Sequence, residues 1–192
     1  MIYIYSKNMD EIWVAAGIRD ETIIATTFAP NENEALKHLL KSLPYNVPFR
    51  MAEKPTLFSK RVLSALKSIF DGKNTSSKFK LEMTHLSGYA QKVLKCVSLV
   101  PVGYVTTYGE VAKAMGGSPR AVGRVMATNP FPPLVPCHRV VRSDFTLGGF
   151  GLGTAVKWGI LQRENRGYSR STKLKVDSKS LSLFPINFLR KD

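Results

Sequence analysis

Sulfur is scarce in this 192-residue chain, which has two cysteines, Cys96 and Cys137. That is too few for a disulfide framework and suits a reducing, intracellular setting. The three histidines, His38, His85 and His138, are not spaced with the cysteines as zinc ligands are, so no metal site and no cofactor is expected. No apolar run reaches the ~18 residues that cross a bilayer. The opening MIYIYSK lacks the charged start and apolar core of a secretory signal. Acidic residues are the last shortage: 14 Asp and Glu face 28 Lys and Arg, leaving a net charge of +14 and a pI near 9.9. Such an excess favours polyanions, nucleic acid first and an anionic membrane surface second, with plain solubility charge as the alternative.

What is present is otherwise ordinary for a soluble protein, at 44% hydrophobic and 22% charged residues. The length allows one large domain or two small ones, each with its own core. Residues 2–5, 12–18 and 22–27 are short, rich in Ile, Val, Tyr and Thr, and separated by turn residues, so they read as strands. Asn31 or Asn33 is a candidate cap for a helix over 34–41, and a second helix is expected from Thr56 to a stop at Asp71-Gly72. Polar residues 73–80 read as a linker or exposed edge, placing a boundary near residue 80. Trp13 and the other aromatics before it read as core.

Helical patterning takes over from Ser87, which caps a helix through Val100 with Cys96 as a small packed hydrophobe. Thr107 then caps a short helix over 108–115, Gly116-Gly117 turns the chain, and Ser118-Pro119 opens a second helix through Ala127. The second helix is built of small residues between Arg120 and Arg124. Close approach to a phosphate backbone and plain internal packing are both open on this pattern. A last helix is expected over 155–164, capped by Thr154, with Val156, Ile160 and Leu161 inward.

Between these helices stands PCHRVV (136–141), with a thiol, an imidazole and a guanidinium on successive residues, Cys137, His138 and Arg139. Prolines precede it and the glycine-rich LGGFGLG (147–153) follows. A thiol needs an activating neighbour to act as a nucleophile. Adjacent side chains on extended backbone point apart, so a water between Cys137 and His138 is expected rather than direct contact.

Together TTYGEVA, PRAVGRVMATNP, PCHRVV and GGFGLGTAVKWGILQREN resemble the O6-alkylguanine-DNA alkyltransferase family, continuously over about residues 87–166. The resemblance implies an α+β, two-domain fold: a ribonuclease-H-like α/β domain over 1–80 and a mainly helical, winged-helix-like domain with a helix-turn-helix over 81–166. It implies irreversible, single-turnover transfer of an alkyl group from guanine O6 in double-stranded DNA to Cys137, with O4-alkylthymine left open. His138 and Glu164 would form a relay to the thiol through water, and Tyr108 would crowd the phosphate and protonate the leaving base. Arg120 would replace the flipped base from the minor groove, with Thr107 and Arg124 beside it on the DNA side and Asn129 bracing the turn. Pro136, Val140, Gly148, Phe150 and Gly151 would line the substrate pocket. Phe150 stands where many relatives carry tyrosine, so no hydroxyl is available there. The expected setting is the cytoplasm and its nucleoid, or a nucleus, for a monomer whose cooperativity on DNA stays open.

Residues 167–192 form a basic extension that is apolar enough to dock, either as an arm on phosphates or back on the first domain. Rival functions are a protein that binds alkylated DNA without repair, a helix-turn-helix regulator, and a Cys-His hydrolase.

Overall fold

A computed structural model describes residues 1–75 and 78–190 and divides the chain into two compact units. The first comprises Met1–Phe70, Asn74–Leu86 and Pro130–Leu134; the second comprises Asp71–Lys73, Ser87–Asn129 and Val135–Asp192.

The first unit is built on an antiparallel meander of β1 (Ile2–Met9), β2 (Ile12–Arg19) and β3 (Thr22–Ala29). All three strands run longer than expected: β1 continues from Ser6 to Met9 opposite Ala15 to Ile12, β2 gains Arg19 opposite Thr22, and β3 runs to Ala29 opposite Trp13. The turn between β2 and β3 places Asp20 and Glu21 at φ 48 and 52. Two short strands flank the meander: β4 (Phe49–Met51) lies parallel to β1, and β5 (Lys80–Leu81) lies parallel to β3. Neither carries enough residues to show a pattern in sequence.

Helix α1 (Glu32–Ser42) is capped by Asn31, whose side chain accepts from Glu34 N, and it packs Ala35 and Leu39 against Ile4, Ala15, Ala25 and Ala29. Helix α2 (Leu57–Phe70) begins with a reciprocal Thr56–Ser59 cap and places Phe70 edge-on to Phe28. Thr26 gives its N–H to Pro130 O and its hydroxyl to Pro132 O, at 2.8 and 2.9 Å, so residues 130–134 cover β3.

The second unit begins with α3 (Gly88–Val97), capped by Ser87, whose Val93, Leu94, Cys96 and Val97 are buried. Strand β6 (Tyr104–Thr107) leads directly into α4 (Tyr108–Met115). Gly116 and Gly117, at φ 85 and 84, turn the chain into α5 (Pro119–Ala127). After β7 (Val140–Val141) and the glycine loop comes α6 (Thr154–Glu164). Its N-cap is Gly153 with no side-chain bond, so Thr154 is the first helical residue and not the cap.

The main departure from expectation lies at the C-terminus. Residues 167–190 are neither a free arm nor a segment of the first unit. They form β8 (Thr172–Val176) and β9 (Lys179–Pro185), which complete a four-stranded sheet in the order β7-β6-β9-β8. Ile186, Phe184 and Leu189 pack with Val105, Val141, Leu147, Trp158 and Leu161, so this core needs the extension. Lys191 and Asp192 lie outside the described residues.

Candidate active site around Cys137

Cys137, His138 and Arg139 form a single 3₁₀ turn, not the extended backbone assumed in setting the Cys137 and His138 side chains apart. Cys137 N–H donates to Val135 O and Arg139 N–H to Pro136 O, at 2.8 and 2.9 Å, while Val140 N–H closes on Cys137 O. The turn is pinned at its exit by β7, where Val140 and Val141 pair with Thr106 and Thr107 of β6. Both ends are therefore fixed, and the thiol is held on rigid backbone at 8% exposure.

Burial pushes the Cys137 thiol above its ordinary pKa; a hydrogen bond from the Asn129 side chain and the nearby Lys157 charge work against that. Asn129 is itself buried and donates its amide to Val135 O at 3.0 Å, bridging the two sides of the segment that ends at the cysteine. Tyr108, the first residue of α4, lies close enough to Cys137 to feel its charge. Its phenol is raised by burial and by that thiol, against the pull of Arg142. A methyl group at Gly148, where φ is +68, would stand 3.3 Å from the Tyr108 ring, and one at Gly123 of α5 would stand 4.0 Å from it. Tyr108 thus sits against the glycine loop on one side and α5 on another, and a side chain at Gly148 would intrude on it.

The second layer is fully buried. His138 Nε2 meets Glu164 Oε1 at 3.0 Å, while His138 Nδ1 is buried with no hydrogen-bond partner among the described residues. Arg139 forks onto the same carboxylate, Nε to Oε2 at 2.8 Å and Nη2 to Oε1 at 2.7 Å, with Nη1 on Val100 O at 2.5 Å. Burial lowers the His138 pKa, against the pull of Glu164, so the imidazole is neutral at pH 7. Burial works to raise Glu164, but His138 and Arg139 overcome it and hold the carboxyl at about 2. With the imidazole neutral, the Arg139 guanidinium is the permanent cation that keeps this buried carboxylate ionised.

Lys157 was expected in no role, yet it is completely buried. Its Nζ donates to Val140 O and Leu147 O, at 2.7 and 2.5 Å, tying β7 to the start of the glycine loop. A signal did exist: Lys157, Ile160, Leu161 and Glu164 recur at helical spacing on the buried face of α6, where Val156 is only half-buried. The Arg139–Glu164 ion pair was missed for want of any local pattern, since 25 residues separate the partners.

The remaining candidates divide by exposure. Arg120 and Arg124 are exposed, four residues apart on α5. Thr107 is buried, and its hydroxyl accepts from Glu110 N at 3.2 Å, so its side chain shapes the start of α4 and does not face solvent. Pro136, Val140 and Gly148 are buried, Phe150 is half-buried, and Gly151 is exposed. The Cys137 carbonyl accepts from Val140 N–H, and the Val140 carbonyl accepts from Lys157 Nζ.

Residues 88–166 match the family model described as 6-O-methylguanine DNA methyltransferase, DNA binding domain. A methylated-DNA–protein-cysteine methyltransferase of Thermococcus barophilus is 36% identical over 137 residues, 68% of this chain and 77% of that protein. The chain belongs to this methyltransferase family. A family relative from Thermus thermophilus, named a DNA base-flipping protein, is 37% identical over 105 residues, 54% of this chain and 71% of that one. The crystal structure of O6-methylguanine-DNA methyltransferase from Pyrococcus kodakaraensis superposes with a TM-score of 0.67 at 28% identity, over 85% of this chain and 99% of that chain. Three further methyltransferases of the family are spanned over 63%, 56% and 49% of their own length. The likeness to the Pyrococcus kodakaraensis structure places the chain among mixed α+β folds with a sheet domain and a helical part.

Proposed function

We propose that the chain repairs alkylated DNA by moving the alkyl group from guanine O6 to the Cys137 sulfur, once per molecule. The observation that carries this reading is a buried thiol on a fixed turn, with Tyr108 and Asn129 against it and the His138–Glu164 pair behind it. A thiol raised by burial is a poor nucleophile until its proton is taken. His138 is the base, with Nδ1 as the nitrogen left to receive that proton through a water, while Glu164 holds the ring through Nε2.

The thiolate then attacks the alkyl carbon in line. The S–C bond forms, the C–O bond breaks, and the electron pair passes to the guanine, which takes a proton from Tyr108; the imidazolium proton then passes through solvent to the tyrosinate, restoring both side chains. The product is a thioether, and thioether sulfur is a poor leaving group, so the reaction stops at one turnover. The target oxygen lies within a base pair, so the nucleotide must leave the stack. In this reading α5 enters the minor groove, Arg120 fills the vacated place, and Arg124 takes a phosphate. Pro136, Val140, Gly148, Phe150 and Gly151 surround the base, and the apolar Phe150 wall favours apolar alkyl groups. Thr107 contributes by capping α4.

The finer fold reading follows the same line. The order β3-β2-β1-β4, with β4 parallel to β1, supports a ribonuclease-H-like first unit, and the helix pair followed by the β8–β9 hairpin supports a winged-helix-like second unit. The partner is double-stranded DNA and the working form is a monomer, in a cytoplasm or nucleus.

Incubation with O6-methylguanine DNA should add about 14 Da, one methyl replacing a hydrogen, to the peptide holding Cys137 and no other. Repeated turnover, or label on another residue, sinks the proposal. The base-flipping relative motivates the rival of binding without transfer; binding with no mass gain would establish that rival.

A further inference from the structure

The β8–β9 hairpin carries a polar face with two exposed lysines. Its register sets Lys173 opposite Ser182 and Lys175 opposite Ser180, while Thr172, Leu174 and Val176 oppose Leu183, Leu181 and Lys179. Cross-strand partners share a face and successive pairs alternate faces. One face buries Val176, Leu181 and Leu183; the other exposes Lys173, Lys175 and Ser180 and half-exposes Ser182. Neither lysine belongs to an ion pair among the described residues, and the one carboxylate within the hairpin, Asp177, sits in its turn at φ 53.

This polar face is also tied to the helix-turn-helix. Ser182 bonds to Glu110 of α4, which accepts from the exposed Lys113 at 2.6 Å. Glu110 thus joins the polar face of the hairpin to α4 within the second unit. That face offers flexible ammonium groups interleaved with small hydroxyls, the donor set that duplex phosphates take.

We propose that this lysine–serine face of the hairpin binds the DNA phosphate backbone and lengthens the footprint of the protein beyond the helix-turn-helix. The proposal rests on the reading of the chain as a DNA alkyltransferase. Lysine on an edge strand such as β8 also deters unwanted strand pairing, and charge reversal separates the two roles, because glutamate protects an edge as lysine does.

The test is a salt titration of binding to undamaged duplex DNA by the Lys173→Glu/Lys175→Glu variant. Each phosphate contact contributes about 0.9 to the slope of log affinity against log salt, so the slope should become shallower by about 2. The control pair Lys37→Glu/Lys41→Glu, exposed on α1, makes the same charge change and should keep the wild-type slope. Transfer from the free O6-methylguanine base, which carries no phosphate, should proceed at the wild-type rate in both variants, showing the second unit intact. A wild-type slope in the hairpin variant, or an equal loss in the control pair, overturns the proposal while leaving the alkyltransferase reading standing. A wild-type protein that neither binds duplex nor accepts methyl removes both.

Discussion

Arg139 and Glu164 form a buried ion pair, and such pairs are costly to break from one side. Arg139→Met leaves an unpaired carboxylate in the core and should lower stability by about 3–5 kcal/mol. Adding Glu164→Leu removes the orphaned charge, so the double variant should regain most of that loss in a urea titration. It should not regain alkyl transfer, because His138 Nε2 then has no anchor. Recovery of both would separate Glu164 from the chemistry.

Acid and base should each weaken this fold, for different groups. Buried His138 is held below its ordinary pKa, so the unfolded chain binds its proton first. Its contribution is complete above about pH 6.5 and is lost as the pH falls toward the depressed folded value. His85 is lowered by burial too and adds to the same limb. Glu164, at about 2 in the fold, adds a second loss as the pH drops below about 4 toward that value. Cys137 is raised, so its contribution fades as the pH climbs above about 8.5. Denaturant midpoints should plateau between those limits, and His138→Asn should flatten the limb just below neutrality relative to wild type. An unchanged limb would mean that His138 takes up its proton at the same pH in the folded and unfolded chain.

Among the elements, α4 and α5 were legible in sequence because each carries its own punctuation. Thr107 and Ser118 cap them, Pro119 opens the second, and glycine fills the positive-φ turn between them. Gly117 is the tightest part of that turn: a Cβ there would lie 2.6 Å from Tyr89 Oη, which donates to Gly116 O at 2.9 Å. Gly117→Ala combines left-handed strain with displacement of that hydroxyl, and should cost about 2 kcal/mol by urea denaturation. No measurable cost would mean that the turn relaxes freely.

Other elements were less legible, for physical reasons. Strands β4 and β5 are three and two residues long and are held by their neighbours, so they have no pattern of their own. The β8–β9 hairpin does alternate apolar and polar residues, but without the sheet to receive it the segment reads as a basic extension docking on phosphates or on the first domain. The site divides in the same way. Cys137 and His138 announce themselves as adjacent residues, whereas Arg139–Glu164 and Lys157–Leu147 are made only when distant segments fold together.

For the whole molecule, the extension matters more to stability than its composition indicates. Removing residues 167–192 strips Leu181, Leu183 and Ile186 from buried positions and opens the sheet beside Val105. At roughly 1.5–3 kcal/mol for each buried aliphatic side chain, the loss should reach about 5 kcal/mol or more. The truncated chain should be recovered mainly as insoluble protein, with a thermal midpoint far below the full chain where any stays soluble. A truncated chain that melts like the parent would return the extension to the status of an appendage.

The five residues Pro130–Leu134 leave the second unit after Asn129, lie along β3 of the first, and return at Val135. The boundary between the two units is thus crossed more than once, and neither unit is a single uninterrupted piece of gene. A fragment beginning at Ser87 would carry Phe131, wholly buried in the full chain, into solvent, and its complement ending at Leu86 would lack the acceptor that Thr26 N–H requires. Recombination that swaps one half for another homologue's must therefore also match a strap lodged in the other half.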